Sequence, residues 1–503
     1  MKNIFNSIQL KKPKKNYFDL THDVKLSANM GDLVPVLTLE VVPGDSIEIG
    51  AESIIRFAPM VAPVMHRMDV TIHYFFVPNR ILWDNWEKFI TNNGPSGTGP
   101  DIPAPTLDYY KDWNTNALTT AARSVKFLDY LGVPPVPSTA TVSDSAAISA
   151  LPAAAYQCIY NEYYRDQNLV APVNYKLTDG AQSISWERNA ELTTLRTRAW
   201  EHDYFTAALP FAQKGAAVDI PLGAVNGDAN IYSNVGNTTL NGSAGDPVVI
   251  GDTNTGLTDL WAQTDGLTVE PTTINDLRRA YRLQEWLEKN ARGGTRYIES
   301  ILSHFGVKSS DSRLQRPEYI TGVKTPVVIS EVLNTSGTVD QLPQGNMAGH
   351  GISVSSGKSG RYYAEEHGYI IGIMSVMPKT AYQQGIPRTF LKLDPLDYFW
   401  PSSANIGEQE VQVQELYAYT SNNLDTFGYV PRYSEYKYMP SRVAGDFRTS
   451  LDYWHLGRIF DSEPTLSQEF IECKPEDTER IFACIVLSAT SLFTLSISSS
   501  VIA

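Results

Sequence analysis

The run IYNEYYRDQNL, Ile159 to Leu169, crowds carboxylate, guanidinium, amide and phenol groups into one short stretch. Read as a helix, it puts Tyr156, Tyr160, Tyr163 and Gln167 on one face, at spacings of three and four, and sets Glu162 and Asp166 one turn apart on another. Two carboxylates one turn apart can do general acid and base work. The same residues also suit a packed helix, with the tyrosines turned inward and Arg165 reaching Glu162 or Asp166 in a weak surface pair. Charged helix faces are common and catalytic dyads rare, so packing is the expected role.

Other candidate chemistry is thinner. The eight His do not cluster at metal-ligand spacing: His66 and His73 sit in and before a strand pattern, and His367 follows Glu365 and Glu366 outside any HExxH arrangement. No metal and no cofactor is expected. GISVSSGKS, Gly351 to Ser359, has one residue more between its glycines than a Walker A motif allows and no helical pattern behind it. It reads as a flexible loop. No GxSxG elbow is present. A glycosidase remains the enzyme alternative, because its two acids need not be close along the chain. Such an enzyme working outside a cell would want an export signal, and the first residues show no apolar run of signal-peptide length.

The elements that must position these residues are mostly β. LVPVLTLEVV, the turn PGDS, SIEIGAESIIRF and MDVTIHYFFVP open the chain as antiparallel strands. ILWDNWEKFI reads as a short amphipathic helix, and Asn92 to Pro137 as a long loop rich in Gly, Pro, Thr and Asn. Helices are expected at Ala153 to Asn168, at TTINDLRRAYRLQEWLEKNARGG with Thr273 and Asp276 as its cap and Gly293-Gly294 as its stop, and at RYIESILSHFG. Strands recur at YIIGIMSVM, EVQVQELYAY, QEFIECK and RIFACIVL. Strands at both ends with helices and loops between predict one sandwich or barrel, strands 33–77 pairing with strands beyond 360 across long excursions.

Composition limits the partners. The net charge of −14 excludes a surface that grips nucleic acid everywhere, yet MKNIFNSIQLKKPKK carries five Lys and no acid. A basic arm of this kind binds phosphate or stays solvated. Residues 221–267 are the opposite, with five Asp and no Lys or Arg, and read as a surface insertion. Cys158, Cys473 and Cys484 are too scattered for a disulfide framework. From Ala483 onward the chain is uncharged, but eight Ser or Thr and the period-two LFTLSIS suit a strand better than a membrane helix, so no membrane insertion is expected. A charged fraction of only 19%, with 34 Gly and 30 Pro, points to many turns and much surface covered by partners.

Several peptides, in order, resemble the major capsid proteins of the microviruses, small single-stranded DNA bacteriophages, and their gokushovirus-like branch in particular. They include PGDSIEI, APVMHRMDVTIHYFFVPNRILW, IYNEYYRDQN, WEHDYFTAALPFAQKG, RLQEWLE, RGGTRYIESILSHFGVKSSDSRLQRPEYITG, PQGNMAG, HGYIIGIMSVMPKTAYQQG, DYFWP, IGEQ and GYVPRYSEYKYMPSRVAGDFR, and the resemblance covers most of the chain from about residue 30 to 460. The resemblance implies a mainly β chain, an eight-stranded antiparallel viral jelly-roll with long loop and helix insertions. Its domains would be a basic arm over 1–30 and one elaborated jelly-roll over 31–503, with 79–360 as interstrand excursions. The resemblance further implies no catalysis, and an icosahedral shell of about sixty copies around circular single-stranded DNA, with other virion proteins and a host receptor as partners. The location implied is the virion, after assembly in the host cytoplasm. Lys2, Lys11, Lys12, Lys14 and Lys15 are then expected against DNA phosphates, and Tyr160, Glu162, Tyr163, Tyr164, Arg165, Asp166 and Asn168 at subunit interfaces or in loop packing. In the family the most variable loop stands at 221–267 and builds threefold protrusions; here it is of modest length. The uncharged C-terminus departs from the Pro- and basic-rich ending of the family.

Overall fold

The computed structural model describes residues 16–91, 102–108, 126–134, 147–182, 186–219, 225–226, 230–233, 260–263, 268–269, 273–333, 347–357, 359–404, 406–473 and 479–493. Its frame is antiparallel β. In chain order the framework strands are β1 (Asn16–Asp19), β2 (His22–Ala28), β3 (Val34–Val41), β4 (Ser46–Phe57) and β5 (Met68–Pro78), then β6 (Glu318–Pro326), β7 (Val328–Leu333), β8 (Met347–Ser356), β9 (Gly360–Tyr363), β10 (Gly368–Pro378) and β11 (Ile481–Phe493). One sheet runs β6-β5-β10-β3; the other runs β1-β11-β4-β8-β7, with β2 also on β11 and β9 also on β4.

β1 and β2 lie end to end along β11, as β8 and β9 do along β4, so the two sheets hold nine strand positions. That is one position beyond the eight of a minimal jelly-roll. The early strands pair with the late ones as expected: Leu39 faces Ile370, Tyr74 faces Gly372, and Ile54 faces Cys484. Such crossovers between distant segments are what close a Greek-key sandwich. Half of the expected arm, Asn16 to Ala28, belongs to the sheet; the five arm lysines lie outside the described residues.

Two layers of core explain why β5 and β10 read as almost unbroken apolar runs. Ile72, Tyr74, Phe76, Ile370 and Met374 point between the sheets and meet Ile47, Ile49, Ile485 and Leu487. Phe75, Val77, Ile371 and Ile373 point the other way, onto the helix α1 (Leu151–Ile159) with its Ala153, Ala154, Tyr156 and Ile159. A strand buried on both faces has no room for polar alternation. A third cluster, around Phe205, Tyr382, Val411, Phe427 and Phe470, underlies the segment after β10.

Four local expectations are corrected. GISVSSGKS is not a loop over its first six residues: Gly351–Ser356 is the second half of β8, held by pairing with β4 and β7. QEFIECK is not a strand: Gln468–Ile471 is a helical turn that buries the adjacent Phe470 and Ile471 together, which alternation would send to opposite faces. Of EVQVQELYAY only the first three residues are strand, the end of Glu408–Gln412, which pairs with Thr426–Pro431 outside the sandwich, and Val413–Leu416 coils into a turn that starts after Gln412. The helix expected through Asn168 stops at Tyr164.

Residues Phe211–Gly294 form a separate compact unit from Met1–Pro210 with Thr295–Ala503. In the smaller unit α2 (Ile274–Arg292) starts where the cap signal stood, the Asp276 amide donating to Thr273 Oγ1 at 3.2 Å. In the larger one α3 (Tyr297–Phe305) ends at Gly306, whose φ of 69° is the left-handed conformation that glycine adopts without strain.

Candidate assembly and packing sites

The opening tyrosine run is a brace, and a π turn shapes it. α1 continues into five π-helical residues, Tyr160–Tyr164, and Arg165 leaves helical geometry at φ −70°, ψ 132°. The wider turn breaks the expected spacing, so Glu162 and Asp166 do not stand one turn apart on one helix. Each phenol instead ends on a different piece of the chain. Tyr156 donates to the Leu33 carbonyl at 2.8 Å, Tyr163 to the Pro317 carbonyl at 2.7 Å, and the Tyr164 hydroxyl lies 2.8 Å from His73 Nδ1. Arginines cover the rings: Arg196 over Tyr160, Arg316 over Tyr163 at 4.5 Å, and Arg198 over Tyr164.

Both carboxylates are engaged in structure. Glu162 faces Arg316 at 3.8 Å, and Asp166 Oδ1 accepts from the amides of Asn168 and Leu169 at 2.8 and 2.9 Å, closing the loop after the helix. Arg165 donates to the Val170 carbonyl at 2.6 Å, and Asn168 Oδ1 accepts from Thr295. Spacing alone missed two stronger partners. Asn161 exchanges two hydrogen bonds with the Val173 backbone, at 3.0 and 3.1 Å, and Arg296 donates to the Asn161 and Arg165 carbonyls. The only sequence signal for them was an amide inside an apolar helix and an arginine beside a cap. Burial, reinforced by Arg198 and Lys324, pushes His73 down to about 4, and burial also pushes the Tyr160 hydroxyl up to about 12. Neutral groups suit such a site.

A second feature lies on the surface of the larger unit. From Leu393 to Ile406 the chain turns tightly and exposes Leu393 (91%), Leu396, Tyr398, Phe399, Trp400 and Ile406. The turns are locked from within: Asp397 Oδ2 accepts from the amides of Leu393 and Asp394, and Trp400 Nε1 donates to the Pro395 carbonyl at 2.8 Å. Below, Lys392 is sealed against Glu435 at 2.9 Å and lies over the Tyr436 ring at 3.9 Å. A held apolar band of this kind on a protein with a complete core is the mark of a protein contact surface. α3 likewise exposes Tyr297, Leu302 and Phe305, and α2, within its own unit, exposes Ile274, Leu277 and Tyr281 at helical spacing.

Among the described residues, no group of three or more His, Cys, Asp or Glu is placed to hold a metal ion, and no helix is long and apolar enough to cross a membrane. Residues 6–497 match the family model described as capsid protein, F protein. The chain belongs to that capsid protein family. It is 35% identical to capsid protein VP1 of Bdellovibrio phage phiMH2K, covering 91% of this chain and 88% of the relative. Against capsid protein VP1 of Chlamydia phage 1 the identity is 32%, with 94% and 91% covered. Against that of Spiroplasma virus 4 it is 30%, with 94% and 89% covered. The capsid protein is therefore a structural component of a gokushovirus-like microvirus virion that assembles into an oligomeric shell, and it is not an enzyme.

Proposed function

We infer that about sixty copies of this capsid protein close an icosahedral shell around single-stranded DNA, joined in part through the exposed band Leu393 to Ile406. The observation that carries this reading is the band itself. Six large apolar side chains stand in solvent on turns whose own hydrogen bonds hold them there, so they are presented rather than left over. Residues 31–503 act as one elaborated jelly-roll within the shell, and Tyr160, Glu162, Tyr163, Tyr164, Arg165, Asp166 and Asn168 brace its loops beneath the subunit contacts. The part of the arm ahead of β1 directs Lys2, Lys11, Lys12, Lys14 and Lys15 to DNA phosphates. The acidic segment 221–267 faces outward, where packaged DNA does not repel it, and contributes to host attachment. Other virion proteins join in the host cytoplasm.

The test is electron microscopy of the purified full-length chain beside a Leu393→Asp/Trp400→Asp variant. Wild type is expected to form uniform small shells, and the variant to remain unassembled with an unchanged melting temperature. Normal shells from the variant would remove the band from the contact surface.

A further inference from the structure

Two cavities in the larger unit share one wall, and their linings differ in character. The first, about 370 Å³, is lined by His66, Arg67, Lys379, Arg442 and His455 with the rings of Phe447 and Trp454. The second, about 380 Å³, is lined by Tyr204, Phe205, Tyr382, Phe390, Tyr438 and Met439, with Arg388, Glu415 and Glu435. Ser441 and Arg442 line both.

That wall is rigid. The Tyr382 amide donates to the Ser441 carbonyl at 3.0 Å, and the Arg458 amide to the Ala381 carbonyl at 2.8 Å. The rim of the first cavity is tied the same way, the Met65 amide to the Trp454 carbonyl at 2.8 Å and the Lys379 amide to the Arg67 carbonyl at 2.9 Å. His455 is fixed too, accepting from the Gly457 amide at Nδ1 and facing the Phe447 carbonyl with Nε2.

Charge separates the two halves. In the aromatic cavity each carboxylate is already matched, Glu415 by Arg388 at 2.8 Å and Glu435 by Lys392 at 2.9 Å. The cationic cavity has no carboxylate in its lining, and among the described residues only Lys379 is matched from outside, by Asp69 and Glu201. Arg67 and Arg442 are exposed and have no acidic partner within ion-pair distance among the described residues. On a chain of net charge −14, an uncompensated pair of guanidiniums beside two half-buried rings, Phe447 and Trp454, runs against the general field.

We propose that the groove across Ser441 and Arg442 binds a short stretch of single-stranded DNA, phosphates at Arg67 and Arg442 and bases against the aromatic walls. Each half supplies what a single strand offers: an anionic backbone, and flat rings of any sequence that stack on Trp, Tyr or Phe. Each cavity is large enough for one base but not for a folded segment. The contact deepens the packaging reading above, on which it rests, and adds a site remote in sequence from the lysine arm.

The experiment uses the unassembled full-length chain and a fluorescent oligothymidylate, titrated over a range of salt. Arg67→Gln/Arg442→Gln is expected to weaken binding about tenfold and to flatten the salt slope by about 1.4, two contacts' worth. Trp454→Leu is expected to cost about fivefold or more with little change of slope. Phe447→Leu replaces it should Trp454→Leu lower the melting temperature. Cross-linking with 5-iododeoxyuridine is expected to mark peptides holding Phe447, Trp454 or Tyr438. If the wild-type chain binds DNA and forms DNA-filled particles, while both groove variants bind as wild type and cross-links fall only elsewhere, the groove is overturned and packaging stands. Loss of assembly with unchanged oligonucleotide binding overturns it in favour of a second copy of the chain. A wild-type chain that neither binds nor packages DNA overturns both.

Discussion

At the residue scale the capsid protein uses polar side chains as fasteners. Asn161 shows how: it is buried, and its amide matches both Val173 backbone groups. Asn161→Leu is expected to destabilise by about 2–4 kcal/mol, since two backbone groups lose partners, and the change reads out in urea unfolding of the unassembled chain. His73 yields a pH prediction. Its folded pKa, about 4, lies below the ordinary 6.5, so the unfolded chain takes up the proton first. Stability is full above pH 6.5 and falls as pH drops toward 4, by up to about 3 kcal/mol. His73→Gln keeps a partner for Tyr164 without titrating, so its melting temperature should fall less across that window. An equal fall in both would place the acid sensitivity elsewhere. Glu201 acts in a separate window. Burial would raise its carboxyl, but Lys324 and Lys379 outweigh this and hold it at about 2, so its contribution is present above pH 4.5 and lost on descent to 2.

At the scale of elements, local chemistry and tertiary contacts decided different things. α2 was legible to the residue because its start is a local device: Thr273 caps the Asp276 amide, and acid and base sit at the proper ends. Thr273→Ala is expected to cost about 1 kcal/mol, seen as faster hydrogen exchange of the first-turn amides. The π turn at Tyr160–Tyr164 was not legible, because what widens the helix is remote. Tyr163 must reach Pro317 and Tyr164 must reach His73, partners far away along the chain. QEFIECK misled for a similar reason, since two adjacent apolar residues fit a strand or a buried turn, and only the pocket beneath Phe470 and Ile471 chooses. β4, β5, β10 and β11 were legible because two sheets burying their faces demand β-branched and aromatic runs whatever the partner.

For the whole molecule, surface decides function, and surface was the least legible part. Composition pointed to covered surface, but the band from Leu393 to Ile406 has neither helical nor strand period, and its exposure depends on where Asp397 and Lys392 anchor its turns. If this band joins copies, its contribution is cooperative: each subunit offers it once, so a loss small for one contact is repeated around the shell. Trp400→Ala keeps the turn sequence but removes the ring and its bond to Pro395. It should weaken each contact by about 1–2 kcal/mol, as truncation of an aromatic anchor does. The monomer should melt as before, because the side chain is half exposed. The concentration needed for shells to form, followed by light scattering, should therefore rise several-fold for Trp400→Ala and further for Leu393→Asp/Trp400→Asp, while a Val328→Asp control on an exposed strand position elsewhere sets the cost of a surface charge alone. Should the control and the band variants shift assembly equally, the band has no special part in joining subunits.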